Sequence, residues 1–153
     1  VLLAIVLLIT DYTKPKIKSE KDLVTIEGKL LDYNFVKGNK GYRNYTIKLN
    51  NYTNTFKIDA DFIKYFSKAS FEEHAYNIGK VKISISKKDS ILLNSQSNKR
   101  IFIFSFKSDD NNYLNEKETI KEHNNRLVIY ASLFFIIAGS ILIYLGIKTR
   151  KRN

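Results

Sequence analysis

The run Leu127–Ile147, LVIYASLFFIIAGSILIYLGI, carries no charged side chain over 21 positions. At the helical rise it is about 31 Å long, close to the hydrocarbon thickness of a bilayer. Lys148, Arg150, Lys151 and Arg152 follow at once. A soluble core helix needs a polar stripe at a period near 3.6. Here the polar residues are only Tyr130, Ser132, Ser140 and Tyr144. A serine hydroxyl can bond back to a helix carbonyl, and the tyrosines lie near the two ends, where amphipathic rings favour the interface. The stretch is expected to be a transmembrane helix, with the rest of the chain as its cargo.

Orientation follows from the tail. Its four basic residues have no acidic neighbour, whereas Lys117, Lys121 and Arg126 on the other flank alternate with Glu116, Glu118 and Glu122. Basic residues beside a span tend to stay cytoplasmic. Residues 148–153 are therefore read as a cytoplasmic tail and 11–126 as extracytoplasmic, at the inner membrane. Small residues at Ala131, Ser132, Ala138, Gly139, Ser140 and Gly146 permit close helix approach. Their spacing does not decide the oligomeric state.

Val1–Ile9 is uniformly apolar and about 14 Å long as a helix, half a bilayer. Residues 1–10 can be the end of a first span, a signal-peptide remnant or a buried strand. The sequence after Ile9, Thr10-Asp11-Tyr12-Thr13-Lys14, lacks the small residues of a cleavage site. A truncated first span is favoured, which makes a membrane hairpin around one domain.

Formal net charge is +11, and the tail leaves +7 between the apolar runs. Such a surface favours anionic partners. An AT-rich coding bias toward Lys, Asn, Ile, Tyr and Phe gives the same composition without selection for binding. There is no cysteine, which removes disulfides, thiolate nucleophiles, Cys-ligated zinc and iron–sulfur clusters. Asn44-Tyr45-Thr46 and Asn51-Tyr52-Thr53 are glycosylation triplets that chance explains in so Asn-rich a chain.

Residues 11–22, with the single proline at 15, read as a solvated linker. From Leu23 apolar residues alternate through Val24 and Ile26. The alternation resumes after Gly28 at Leu31, Tyr33 and Phe35, so a bend is expected at the glycine. Residues 37–41 form a hairpin loop with two glycines. Tyr45, Ile47 and Leu49 share one face of the return strand, and Thr55–Ile58 is a third strand. The spacing of Phe62, Ile63, Phe66 and Ala75 predicts helix, capped by Asp59 or Asp61, stopped at Gly79, with a break near Ser70. Lys80–Lys87 alternates again, with a basic and hydroxyl outer face. Lys88-Asp89-Ser90 turns the chain, Ile91–Leu93 extends a strand or plugs the barrel, and 94–100 is a polar loop. Ile101–Phe106, IFIFSF, is apolar on both faces and belongs in the middle of the sheet or against the helix. Asp109–Asn112 is a turn, and Tyr113–Asn125 a polar helix.

The fold class is thus α+β and membrane-anchored. Residues 23–126 form a small antiparallel β-barrel with the OB-like order β-β-β-α-β-β, followed by a span at 127–147. The glycine-bent strand, the Tyr45-x-Ile47-x-Leu49 strand and Tyr113-Leu114 before a polar helix give the layout a resemblance. It is similar to small uncharacterised bacterial membrane proteins in which an apolar N-terminal run and a C-terminal span bracket a β-rich domain. That resemblance implies no activity.

Chemistry is sparse. Glu72, Glu73 and His74 are consecutive on a helix and diverge, and His123 follows Glu122. A metal site needs three or four convergent ligands, and none is expected. Asp59, Asp61, Asp109 and Asp110 suit caps and turns. No nucleophile elbow, phosphate loop or dinucleotide fingerprint occurs, so neither an enzyme nor a cofactor is expected. Tyr42, Arg43, Tyr45, Lys48, Tyr52 and Lys57 would suit single-stranded nucleic acid, but an extracytoplasmic domain rarely meets it. The expected function is a non-enzymatic interaction or assembly module on a lipid bilayer. Its basic face, Lys80, Lys82, Lys87 and Lys88, would meet anionic lipid or an acidic envelope protein. A ligand-binding domain is the alternative.

Overall fold

The computed structural model describes residues 5, 6, 9, 17–37, 43–94, 100–125 and 127–150, and their side chains except at 94, 127, 128 and 145–150. The hairpin loop expected after Lys37, most of the loop 94–100, linker residues 11–16 and tail residues 151–153 lie outside the described residues. The chain forms two compact units, Ile17–Asn124 and, separately, Val1–Lys16 with Asn125–Asn153.

The larger unit is a closed five-stranded barrel. Its first strand, β1 (Leu23–Lys37), serves two neighbours. Residues Leu23 to Lys29 pair antiparallel with β4 (Lys80–Ser86), and Leu30 to Lys37 pair with β2 (Arg43–Leu49). The change of partner follows Gly28, where the sequence predicts a bend. A Cβ on Gly28 would lie 3.0 Å from the Leu49 Cβ, so only glycine lets the strand cross there without displacing its neighbour. A bulge between Leu30 and Asp32 completes the bend and leaves Leu31 exposed.

β3 (Thr55–Ile58) pairs antiparallel with β2 and parallel with β5 (Ile101–Ser108), which in turn pairs with β4. The ring β1-β2-β3-β5-β4 is therefore closed and leaves none of its five strands as a free edge. The strand order is the one expected from the sequence, but the barrel is not wholly antiparallel, because it closes through the parallel β3–β5 pair. Tyr45, Ile47 and Leu49 face inward with Phe56, Ile58, Val81, Ile83, Ile85, Ile103 and Phe106, all buried. Burying one such side chain contributes about 1.5–3 kcal/mol. A short strand not expected from sequence, β6 (Asn112–Leu114), adds to β5. Three residues are too few to show a period.

The helical segment between β3 and β4 starts where the sequence predicts it. The Asp59 carboxylate accepts from the Asp61 N–H (3.2 Å) and opens a 3-10 turn, Ala60–Tyr65. The break falls at Phe66–Ser67 and not near Ser70. Phe66 bridges to Leu114, and the Ser67 N–H bonds the Tyr113 carbonyl (2.8 Å), so β6 takes the backbone groups that would continue the helix. Helix α1 (Lys68–His74) follows and places Phe71 among five aromatic rings.

The expected outer face of β4 is open only in part, since Ser84 and Ser86 are buried. Ser86 caps a helical turn, α2 (Lys87–Ser90), where a simple turn was expected. It accepts from the Asp89 N–H (3.0 Å) and donates to the Asp89 carboxylate (2.8 Å). Ile91–Asn94 continues as a 3-10 turn, with Leu92 and Leu93 half-buried against the core, so this segment plugs and does not extend a strand. Ser84 is covered by α3 (Glu116–His123), the polar helix, which is shorter than the sequence pattern suggests because β6 claims its first residues. Ile17, inside the stretch read as linker, is 2% exposed, and its carbonyl accepts from Asn124 Nδ2 (2.7 Å). The folded unit thus begins six residues before β1.

In the smaller unit, α4 runs over Leu127–Arg150, 24 residues, and Ile5, Val6 and Ile9 are helical. Ser140 donates to the Ile136 carbonyl (2.8 Å), as a serine in an apolar helix is expected to. Leu133, Phe134, Phe135, Ile137, Ile141, Leu142 and Ile143 are all exposed, and at about 100° per residue they fall on every side of the helix. Among the described residues no helix is long and apolar enough to cross a membrane. The described side chains of α4 are those of 129–144, about 24 Å of helix.

Candidate functional site

Register divides the four lysines singled out in the sequence. Lys80 lies opposite Lys29, and Lys82 opposite Glu27 and Lys107. The repulsion between Lys82 and Lys107 is offset by carboxylates, since Lys82 Nζ is 3.7 Å from both Glu27 and Asp109. Lys87 and Lys88 leave the other end of β4, where Ser86 pairs with Leu23, and both are exposed. The seven residues of β4 span about 20 Å. Between the two pairs, α3 covers the strand. Strand alternation placed the lysines on one side; their separation along the strand makes them two sites.

The covered middle holds a polar seam. Ser105 Oγ donates to Ser84 Oγ (2.7 Å), and Ser84 Oγ donates to the Glu116 carboxylate (2.7 Å). Thr119 Oγ1 reaches the carbonyls of Phe104 and Glu116. A hydroxyl bonded to a carboxylate is the start of a nucleophile–base pair, but both serines are only 2% exposed, so no substrate reaches them as the seam stands. Its work is to dock α3 on the barrel. Ser84→Ala removes the acceptor of the buried Ser105 hydroxyl and a donor to the half-buried Glu116 carboxylate, with an expected cost of about 1–3 kcal/mol. The double substitution Ser84→Ala/Ser105→Ala should cost less than the two single changes together, because it also removes an orphaned donor. Urea unfolding of the full chain, followed by the near-ultraviolet circular dichroism of its tyrosines, measures both.

A second cluster joins the 3-10 turn to α3. Glu122 Oε2 accepts from the Tyr65 hydroxyl (2.8 Å) and lies 2.8 Å from Lys64 Nζ. The Lys64 bond, then that of Tyr65, holds the Glu122 carboxyl below its usual range. The bond to Glu122 likewise raises Lys64 and Tyr65 above theirs. The folded carboxyl titrates below the unfolded one, so its contribution is complete above the unfolded value near 4.3 and is lost as pH falls through the folded value. Glu122→Gln should lower the urea midpoint at pH 7, and the gap to wild type should shrink progressively as pH falls below the unfolded value near 4.3. The contributions of Lys64 and Tyr65 are lost in the opposite direction, as pH rises beyond about 10.

The histidines are placed separately. His74 Nδ1 lies 2.6 Å from the Ser70 carbonyl, and the His123 ring stands against Phe104 and Phe62. Asp59 caps its turn, and Asp109 pairs with Lys82. Among the described residues no three His, Asp or Glu side chains are grouped to hold a metal. Of the residues suited to nucleic acid, three are already engaged within the barrel unit. Tyr45 is buried with its ring 4.9 Å from that of Phe35, Tyr52 stands edge-on to Phe56, and Lys48 pairs with Asp32 (3.6 Å). Tyr42 lies outside the described residues.

One basic surface escaped the sequence reading. Lys18 and Lys21 face Lys117 and Lys121 across a shallow groove of about 560 Å³, floored in part by Ile120. Lys117, Ile120, Lys121 and Asn124 follow helical spacing on one face of α3, a signal present in the sequence. The first wall has no local signal, because it is set by the Asn124–Ile17 bond across 107 positions. Comparison with family models, curated proteins and solved structures returns no match.

Proposed function

We propose that this chain is a membrane-anchored, non-enzymatic interaction or assembly module, held by α4 at the outer face of a bacterial inner membrane. One observation carries the reading. The uncharged run 127–147 lies within one continuous helix that begins directly after the barrel unit ends at Asn124. Its described side chains expose apolar surface around most of the helix, the stripe at Ser132 apart, which water does not favour and lipid does. Basic residues then follow the run. The barrel is the working part. Lys80, at the end away from Ile17 and Asn124, is offered to an acidic envelope protein, with Lys82 beside it already paired with Glu27 and Asp109, while Lys87 and Lys88 lie at the end where the chain departs for the apolar runs.

The test uses the absence of cysteine. Tyr76, 94% exposed, is replaced by cysteine in the full chain. Resistance of the chain to alkaline carbonate, with labelling of intact cells by a membrane-impermeant thiol reagent, is expected. Release by carbonate overturns the anchor. Protection until lysis places the barrel in the cytoplasm and overturns the topology.

A further inference from the structure

We propose that the groove between residues 18–21 and α3 seats the phosphate of an anionic phospholipid headgroup. The proposal rests on the membrane-anchored reading and adds a ligand and a site to it.

The charges are available. Lys48, Lys64, Lys68 and Lys82 are in ion pairs, whereas Lys18, Lys21, Lys117 and Lys121 are in none among the described residues. One carboxylate, that of Glu20, lines the groove. The neighbouring Asp22 carboxylate is turned onto the N–H groups of Lys18 (2.8 Å) and Ser19 (3.1 Å), so it forms no ion pair with the four ammonium groups, which outnumber the carboxylates of Glu20 and Asp22 two to one. Four ammonium groups around a concave surface favour a compact, multiply accepting anion, and phosphate is one. Ile120 puts an apolar strip between the lysines, suited to the glycerol end of a lipid more than to a free ion.

The walls are fixed. The Asn124–Ile17 bond ties the end of α3 to the start of the unit. The register Leu23–Ser86 brings Lys87 and Lys88 to the same end of the barrel. Connectivity names the occupant. Leu127 is three residues beyond Asn124, a reach of at most about 11 Å, and Ile9 is nine before Lys18, at most about 32 Å. With a helix inserted from Leu127, the chain tethers Asn124, at the edge of the groove, within that reach of the headgroup layer, roughly 5–8 Å deep on each side of a bilayer. Juxtamembrane lysines are drawn to anionic lipid there.

The test uses the full chain in dodecyl maltoside, titrated with phosphatidylglycerol or phosphatidylcholine, with bound lipid counted by native mass spectrometry. Wild type should retain phosphatidylglycerol in preference. Lys18→Gln/Lys21→Gln and Lys117→Gln/Lys121→Gln should each weaken that retention by about 10-fold or more, at roughly five-fold per lysine. Lys29→Gln/Lys80→Gln, at the other end of β4, should leave it unchanged. Glu20→Gln should strengthen retention several-fold, a gain that a damaged fold cannot produce. Equal retention of the two lipids by wild type, or undiminished phosphatidylglycerol retention by the groove variants, overturns the proposal. Release by alkaline carbonate defeats the anchor itself, whereas a carbonate-resistant chain without lipid preference defeats only the groove.

Discussion

Phe71→Ala is expected to cost the barrel about 3–5 kcal/mol, the range for truncating a fully buried phenylalanine. Its ring is fully buried, and those of Tyr33, Phe106, Tyr113, Phe35 and Phe66 stand 5.0, 5.1, 5.3, 5.4 and 6.0 Å away. These five come from β1, β5, β6 and the turn before α1, so the cavity cannot close by moving one element. A domain of this size has about 5–15 kcal/mol of stability in all, so this one change removes a large share. Phe71→Leu keeps much of the volume and should cost less than half as much. Tyr76→Ala, in the same helical segment but 94% exposed, should stay within about 0.5 kcal/mol of wild type. Urea midpoints of the three variants give the ranking, and a Phe71→Ala chain as stable as wild type would show that the aromatic cluster does not hold α1.

Gly28→Val comes next, at about 2–3 kcal/mol, from crowding rather than a cavity. A Cβ at position 28 meets Leu49 Cβ at 3.0 Å and Leu49 Cδ1 at 3.2 Å. The first contact is the harder to relieve, because Cβ moves only with the backbone, and Leu49 is fully buried. The valine methyls add to the crowding at the place where β1 changes partner. Leu49→Ala should cost about 2–5 kcal/mol in the wild-type chain. It should cost less in the Gly28→Val chain, since the smaller residue makes room for the methyls. A double-mutant cycle with no coupling would place the demand for glycine elsewhere.

The barrel was legible where one face of a strand meets the interior. Tyr45, Ile47 and Leu49 alternate because β2 is half-buried, and the doubly apolar IFIFSF stretch reflects a strand covered on both sides from Ile103 onward, with Phe102 left exposed. Ile103 and Phe106 point inward, while the ring of Phe104 lies 5.4 Å from Phe62 and 5.2 Å from His123. The polar seam was not legible. Ser84 occupies an outer position that the pattern assigns to solvent, and Ser105 is the one polar residue in an apolar run; α3, some thirty residues after Ser84, covers both. The break in the helical segment failed for a similar reason, since its cause is a bridge from Phe66 to Leu114. The basic groove was half legible. Lys117 and Lys121 share a helical face in plain sequence, but their partners Lys18 and Lys21 are brought opposite them by the fold alone.

The Asn124–Ile17 bond has a mechanical consequence. The barrel unit begins and ends at one clamp, so a pull applied between the segments before residue 17 and after residue 124 loads that clamp first. Tension enters and leaves at the same point and does not run through the β-ladder. The clamp yields by opening one hydrogen bond and the small contacts around it, worth about 0.5–1.5 kcal/mol, while the ring of strands stays closed. The clamp is thus the first fastening to give, and only once it has opened does the load pass to β1 and α3.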